Sequence, residues 1–470
     1  MTRSSSETGN ELNRRNLLKG AAAGGAVVAT QGIAGFPTVW AQNTKDITLV
    51  HAGGSYAAIK EIGDQATKDL GFKIVMQAIT DDVQLNRSLT QPQTIDINNI
   101  DSTKLPYLLG KGAIAPIPVA KYKLWSETVP LFTKGAYPSG TMASTQGLAP
   151  IEAMFYADKD AKKLAGKPTE FLTMIPTIYN ADTLGIRPDL VGGRDKITSW
   201  KDLLDPKFKG KTALVDYAPV GVMDVAMALE ARGDFKYADK GNMTKDEIDK
   251  TIKIMIDLKK GGHFRSFWST FDQSVNLMAS GEVVVQSMWS PAVTAVRSRG
   301  IDCYYVPLKE GYRGWFVGLA PMAHLSGLKL DCAYEYMNWF NSGWQGGFIA
   351  KQGYYSAVPS TAKKFLTPEE WDYWYDGKPA AVDIKDPYGT LMEKKGSTRD
   401  GGAIWDRMGN IACWNTVMDE DRYLTRRRAG HPGATGAAGC RTHPQKQKAA
   451  PVGGGLRRSG CAPWPARRLT

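Results

Sequence analysis

Eight residues combine the chemistry of a small-molecule site with positions in turns. They are Ser55 and Tyr56 in HAGGSY, Asp101 and Ser102 in NNIDSTKLP, Tyr217 in LVDYAPV, Trp289 in QSMWSPA, and Arg313 and Trp315 in GYRGWFVG. Aromatic faces attract cations. Carboxylates hold ammonium groups by charge-assisted hydrogen bonds. The Gly-Gly-Ser-Tyr turn, read as the opening of a helix, offers free backbone N–H groups to an anion. A guanidinium fork matches a carboxylate. Each residue also has a plainer reading. Asp-Ser-Thr is a good helix N-cap run, Ser55 can act as a cap, and Arg313 can sit in an ion pair. With 13 tryptophans in the chain, some belong to the core.

Other chemistries find no support. There is no His-Glu-x-x-His, no Gly-x-Ser-x-Gly, no P-loop, and no Gly-x-Gly-x-x-Gly after a strand. The histidines are His51, His263, His324, His431 and His443, far apart in sequence. The five cysteines, Cys303, Cys332, Cys413, Cys440 and Cys461, lack the Cys-x-x-Cys spacing of zinc or iron–sulfur sites. Adjacent tyrosines on a strand point in opposite directions, so Tyr304-Tyr305 and Tyr354-Tyr355 do not read as iron ligands. No metal and no cofactor is expected. Cys303 and Cys332 are open to two readings, a disulfide or buried thiols.

The elements that must position these turns alternate. DITLVHAG reads as a strand ending in a glycine turn, and SYAAIKEIGDQATKDLG as a helix through Ala58, Ile62 and Ala66 that stops at Gly71. FKIVMQAI is a second strand, and a helix and third strand follow through NNID. KDEIDKTIKIMIDLKKGG puts Ile248, Ile252, Met255 and Leu258 on one helix face. This β-α-β-α-β start predicts an α/β fold, and ligands of such sheets lie beyond the carboxyl ends of strands. A body of this length suggests two lobes.

The ends differ from the body. Arg14 and Arg15 precede a mildly apolar, Gly-rich run and small residues around Ala41. This pattern predicts that residues 1–41 form a twin-arginine export signal. Residues 426–470 hold ten Lys or Arg and no Asp or Glu, and are read as a disordered or frame-shifted tail. The net charge of +12 is therefore carried by the tail and the signal, and residues 42–425 balance to zero. A nucleic-acid partner would need a basic face on the domain, which is not expected.

Three segments carry a resemblance: SWKDLLDPKFKGKTALVD; NLMASGEVVVQSMWSPAVTAVRSRGID with its following Tyr-x-Pro-x-x-Glu-Gly; and YEYMNWFNSGWQGGFIAKQGYYSAVP. Together they resemble the periplasmic solute-binding proteins of ABC importers, in particular the spermidine/putrescine-binding group. The resemblance implies a two-lobe periplasmic-binding-protein fold of type II, closing over a ligand by hinge motion. It places lobe 1 at 46–172, lobe 2 at 173–316, and the return to lobe 1 at 317–425. The crossings fall near TMIPTIYNADTLG and WFVGLAPM.

The implied role is non-enzymatic: capture of a small solute in the periplasm and delivery to an inner-membrane permease, by a monomer. Trp289 and Trp315 match the family's cleft tryptophans. Asp101, Ser102, Ser55 and Tyr56 match first-lobe contacts. The chain also departs from the pattern. Tyr217, Val220 and Val317 stand where amine-holding acids are expected, and Arg313 is added. These departures point away from spermidine, to a smaller amine or an amino-acid-like or opine-like solute. The rival readings are a secreted enzyme and a tail-driven nucleic-acid or adhesive protein.

Overall fold

The computed structural model describes residues 44–160 and 163–415. The expected export signal and basic tail lie outside these residues. Three strands open the fold: β1 (Thr48–Gly53), β2 (Lys73–Ala78) and β3 (Ile97–Asp101), with β1 parallel to both of the others. Helices α1 (Lys60–Leu70) and α2 (Asp81–Thr90) connect them. α1 buries Ile62, Gly63 and Ala66 and ends at Gly71, whose φ of 76° suits a residue without a Cβ. The expected β-α-β-α-β start is therefore present. The first helix begins later than read, at Lys60, because residues 54–58 form a tight turn in which Gly54 O accepts from the N–H groups of Ala57 and Ala58.

Two long strands tie the fold together, β4 (Ile175–Ile186) and β9 (Tyr312–Pro321). Between them come β5 (Thr212–Val215), β6 (Phe264–Trp268), β7 (Val285–Met288) and β8 (Tyr304–Tyr305). After them come β10 (Tyr355–Ser356) and β11 (Ile411–Trp414). The main sheet runs β2-β1-β3-β9-β4-β7-β5-β6, with β8 and β10 also paired to β4, and β11 to β9. All twelve residues of β4 are buried. Its first part pairs with β9 from Ile175 to Asp182, and its last part with β7 from Thr183 to Ile186. One strand thus serves both halves of the sheet, as a hinge crossing requires.

The apolar core is divided at the same place. One cluster draws on residues from Leu49 to Ala181 and from Tyr312 to Trp414. Two others draw on residues from Leu184 to Leu308, with Cys413 joining one of them. Each lobe thus encloses its own core.

The second lobe is built on helices α3 (Ala218–Arg232), α4 (Lys245–Lys260), α5 (Phe271–Ser280) and α6 (Ser290–Arg297). In α4, Ile248, Ile252 and Met255 are buried, as the spacing predicts; Leu258 lies at the margin. Thr244 caps that helix by accepting from Glu247 N–H. SWKDLL forms a short 3₁₀ turn at Trp200–Leu204, since Pro206 follows too soon for a longer helix. Helix α7 (Gly327–Phe340) follows β9 and buries Tyr334, Tyr336, Trp339 and Phe340.

Cys303, Cys332 and Cys413 are free and buried. Cys303 and Cys332 belong to different cores, so the disulfide reading is not realised. Burial pushes their thiols up, to about 12 and about 11. No helix of the described residues is long and apolar enough to cross a membrane. Among the described residues no group of three or more His, Cys, Asp or Glu is placed to hold a metal ion.

Candidate ligand-binding cleft

The crossing strands carry the centre of the site. In antiparallel register, Arg313 lies opposite Asp182, Trp315 opposite Asn180, and Val317 opposite Ile178. On the other side of β9, Val317 lies opposite Asp101 of β3. Alternation puts Arg313, Trp315 and Val317 on one face. A cavity of about 90 Å³ opens against this face. The first lobe contributes Tyr56, Asp81, Asp101 and Tyr354 to its wall, and the second contributes Val215, Tyr217, Val220 and Trp289. Asp182, Arg313, Trp315 and Asn415 complete it.

The aromatic side chains form two groups. Tyr56 and Tyr354 are stacked, with centroids 5.8 Å apart and planes at 27°, and Trp315 meets both edge-on at 5.8 and 6.3 Å. Trp289 packs edge-on against Trp268 at 4.7 Å and parallel to Phe271 at 6.5 Å. The pyramid of Tyr56, Tyr354 and Trp315 belongs to the first lobe, and Trp289 to the second. Burial raises the Tyr56 and Tyr354 phenols, with Asp101 and Asp182 respectively adding to it, so both rings stay neutral.

The charges are arranged in layers. Lys104, itself buried, reaches Asp81. Arg313 is 2% exposed; its Nε donates to Asp224 Oδ1 at 2.7 Å, and one terminal nitrogen lies 3.4 Å from Asp182 Oδ2. Asp224 comes from α3, is fully buried, and also accepts from the Ser287 hydroxyl at 2.5 Å. Tyr305 OH lies 3.1 Å from Asp182 Oδ1. Burial lifts the Asp182 carboxyl to about 6, more than Arg313 and the Tyr305 bond hold it down. Burial also raises Asp101, against Lys104 and the bonds from Thr103. Asp101 accepts from both Thr103 N–H and Thr103 Oγ1, so the N-cap reading of this residue is correct as well.

Of the residues singled out in the sequence, Tyr56, Asp101, Tyr217, Trp289, Arg313 and Trp315 line one cavity. Ser55 and Ser102 do not line it. Ser55 is exposed on the turn before α1. Ser102 is fully buried behind the wall and donates to Asn415 Oδ1 at 3.1 Å. Arg313 is in the wall, but its charge is met from within the protein by Asp224 and Asp182. Val220 lines the cavity and Val317 is fully buried, so neither supplies a carboxylate.

Sequence reasoning missed Asp81, Asp182, Tyr354 and Asn415 as wall residues, and Asp224 behind them. A signal existed for Asp182. A carboxylate inside a long apolar strand is costly to bury, which marks it as engaged with something specific. Asp81 looked like an ordinary acidic residue in the first turn of a helix. Tyr354 was weighed only as half of a pair. The pair does point in opposite directions: Tyr354 faces the cavity, while Tyr355 OH accepts from Arg399 at 3.1 Å and Arg407 at 2.5 Å.

The chain is similar to known proteins. Residues 61–375 match the model of a bacterial extracellular solute-binding protein family. Residues 11–30 match the twin-arginine translocation pathway signal sequence, so the chain is exported to the periplasm. Over 196 residues the chain is 28% identical to the spermidine/putrescine-binding periplasmic protein of Escherichia coli. That alignment covers 42% of this chain and 52% of the other, so the chain spans about half the length of the curated relatives it matches. A crystal structure of an ABC transporter from Clostridium perfringens aligns with a TM-score of 0.54 at 16% identity, covering 82% of this chain and 99% of that one. The spermidine/putrescine ABC transporter substrate-binding protein of Streptococcus pneumoniae aligns with a TM-score of 0.53 at 12% identity, covering 83% and 98%. At these identities the likeness shows a shared fold, the two-lobe periplasmic-binding-protein fold. The chain belongs to the bacterial extracellular solute-binding protein family.

Proposed function

We propose that this protein is the solute-binding subunit of an ABC importer, and that it captures a small cationic amine in the periplasm and hands it to a membrane permease. It works as a monomer and returns its ligand chemically unchanged. The observation that carries this reading is the charge of the cleft. Three carboxylates, Asp81, Asp101 and Asp182, line a small cavity beside Tyr56, Tyr354, Trp289 and Trp315, and Arg313, the one cation in the wall among the described residues, is paired most closely with Asp224 and more distantly with Asp182. Aromatic faces and carboxylates together favour an alkylammonium ion through cation–π contact and charge-assisted hydrogen bonds. The small volume favours a compact amine over spermidine. The polyamine-binding relative of Escherichia coli lends further support.

A thermal-shift and calorimetric screen of the purified full-length protein tests the reading. The panel contains putrescine, spermidine, monoamines, amino acids and small carboxylates. A ligand at 100 times its dissociation constant adds about 2.7 kcal/mol of stability. A compact amine is expected to give the largest shift. A shift with an acid lacking any amine, and none with amines, would overturn the amine reading. Turnover of a ligand would point to the enzyme reading instead.

A further inference from the structure

We infer that Arg399 is a positioning residue of the cleft: from behind the hinge strands it bonds the residue after Trp289 and the residue after Tyr354, and so fixes the separation of the two aromatic walls. This rests on the reading of the cleft as the ligand site, and extends it to a residue that does not line the cavity.

Three observations lead to it. The first is where the two walls meet. Strand β4 has β9 on one edge. Along its other edge lie β10 of the first lobe, with Tyr355 opposite Tyr179, and β7 of the second lobe, with Met288 opposite Thr183. Four residues of β4 separate the two pairings, about 13 Å of strand. Tyr354 precedes Tyr355 and Trp289 follows Met288, so the two cavity rings sit on the facing ends of these strands. The turns beside them come close. A Cβ on Gly353 would lie 3.8 Å from Pro291 and 3.7 Å from Arg399.

The second is the bond pattern. Arg399 is 5% exposed. One of its terminal nitrogens donates to Ser290 Oγ and to Tyr355 OH, each at 3.1 Å. Ser290 is the first residue of α6 and follows Trp289. Tyr355 follows Tyr354 and points to the face of the sheet away from the cavity. A single planar group thus spans from one lobe to the other behind both rings.

The third is the bracing of Arg399. Its guanidinium lies 4.8 Å from the centroid of the Trp374 ring. Tyr355 OH also accepts from Arg407 and donates to Trp374 O at 2.8 Å. Asp400, next in the chain, accepts from Arg297 at 2.7 Å and from Tyr305 N–H at 2.9 Å, and Glu393 pairs with Arg297 at 2.7 Å. Arg297 is the last residue of α6, the helix that starts at Ser290. The segment that carries Arg399 is therefore tied to both ends of the helix that follows Trp289. Buried polar networks with their bonds made are rigid.

Fluorine NMR of the protein carrying fluorotryptophan, with the Trp289 line assigned by Trp289→Phe, reads the setting of this ring without any ligand. Arg399→Met keeps an apolar stem against Trp374 and removes both bonds. It is expected to shift or broaden the Trp289 line and to leave the line of Trp200, from the second-lobe core, in place. Calorimetry with putrescine as the probe is expected to show affinity lower by roughly two- to tenfold, the effect of losing one hydrogen bond to the wall. Ser290→Ala, which removes only the second-lobe bond, is expected to move the Trp289 line as well, and serves as the second variant if Arg399→Met does not fold. An unchanged Trp289 line, movement of every tryptophan line alike, or a moved line with unchanged putrescine affinity would overturn the role of Arg399. Absence of putrescine binding by the wild-type protein would overturn the amine reading instead, and the Trp289 line would then decide the role of Arg399.

Discussion

The hydroxyl of Thr103 lies 2.7 Å from the phenolic oxygen of Tyr217. Thr103 belongs to the first lobe and Tyr217 to the second, so this bond closes the cleft from one wall to the other. Its direction follows from the neighbours. Thr103 Oγ1 has one proton and lies 2.7 Å from Asp101 Oδ1, to which it donates. Tyr217 must therefore donate to Thr103. The chain Tyr217 to Thr103 to Asp101 links lobe closure to a carboxylate of the ligand cavity. Replacing Tyr217 by Phe removes the donor and keeps the ring. The loss of about 0.5–1.5 kcal/mol should weaken ligand binding by roughly two- to tenfold. The change should fall mainly on the dissociation rate, measured by stopped-flow tryptophan fluorescence.

Trp289 is only half-buried, and its ring is set by Trp268 and Phe271 rather than by the core of the first lobe. Trp289→Ala should lower ligand affinity by about 1–3 kcal/mol, through lost stacking and cation–π contact. Titration calorimetry reads this directly. An unchanged affinity would remove Trp289 from the contact surface.

Asp182 gives the fold a pH signature. Its folded value, about 6, lies above the ordinary 3.8, so the native state binds this proton more tightly than the unfolded chain. The stabilisation is fully present below pH 4 and is lost as pH rises through 6; it amounts to about 2–3 kcal/mol. His51 acts in the opposite sense. Burial holds it near 3, below its ordinary 6.5, so its contribution is lost as pH falls through that interval. Urea denaturation from pH 4 to 8 should therefore show Asp182→Asn losing the acid-side gain. Affinity for a cationic amine should fall as pH drops below about 6, because protonated Asp182 no longer attracts it.

Arg313 is expected to matter for stability before it matters for recognition. Its flat fork bonds Asp224 and approaches Asp182, and both carboxylates are almost wholly buried. Arg313→Lys keeps the charge but not the fork, and Arg313→Met leaves two buried carboxylates without a cation. The second change should cost about 3–5 kcal/mol, and the first less. Chemical denaturation of the two variants checks the order. Equal stability of both with the wild type would remove the ion pair from the account of the hinge.

The sequence made the alternation of elements legible because burial on one face leaves a period. Ile62 and Ala66 in α1, and Ile248, Ile252 and Met255 in α4, are spaced by the helical turn and point inward as read. Strand-end turns were legible as well, because Gly, Pro and polar residues interrupt apolar runs. Six of the eight residues chosen from those turns meet in one cavity. The start of the first helix was misread, since a Gly54 turn and a helix both satisfy the same apolar spacing at Ala58 and Ile62.

The sequence by itself determined that the chain carries an export signal, an α/β body with two cores' worth of apolar residues, and a set of aromatic and acidic turns. These follow from composition and local periodicity, which the backbone imposes on any chain. Only the tertiary structure decided which charges meet. Asp182, Asp224 and Arg313 are far apart in sequence, and their pairing depends on the register of two crossing strands and the docking of α3. Local spacing carries no information about a register set by long-range packing. For the same reason the sequence left Arg313 open between a fork for a ligand carboxylate and an ion pair, and in the fold it is held by two carboxylates of its own chain.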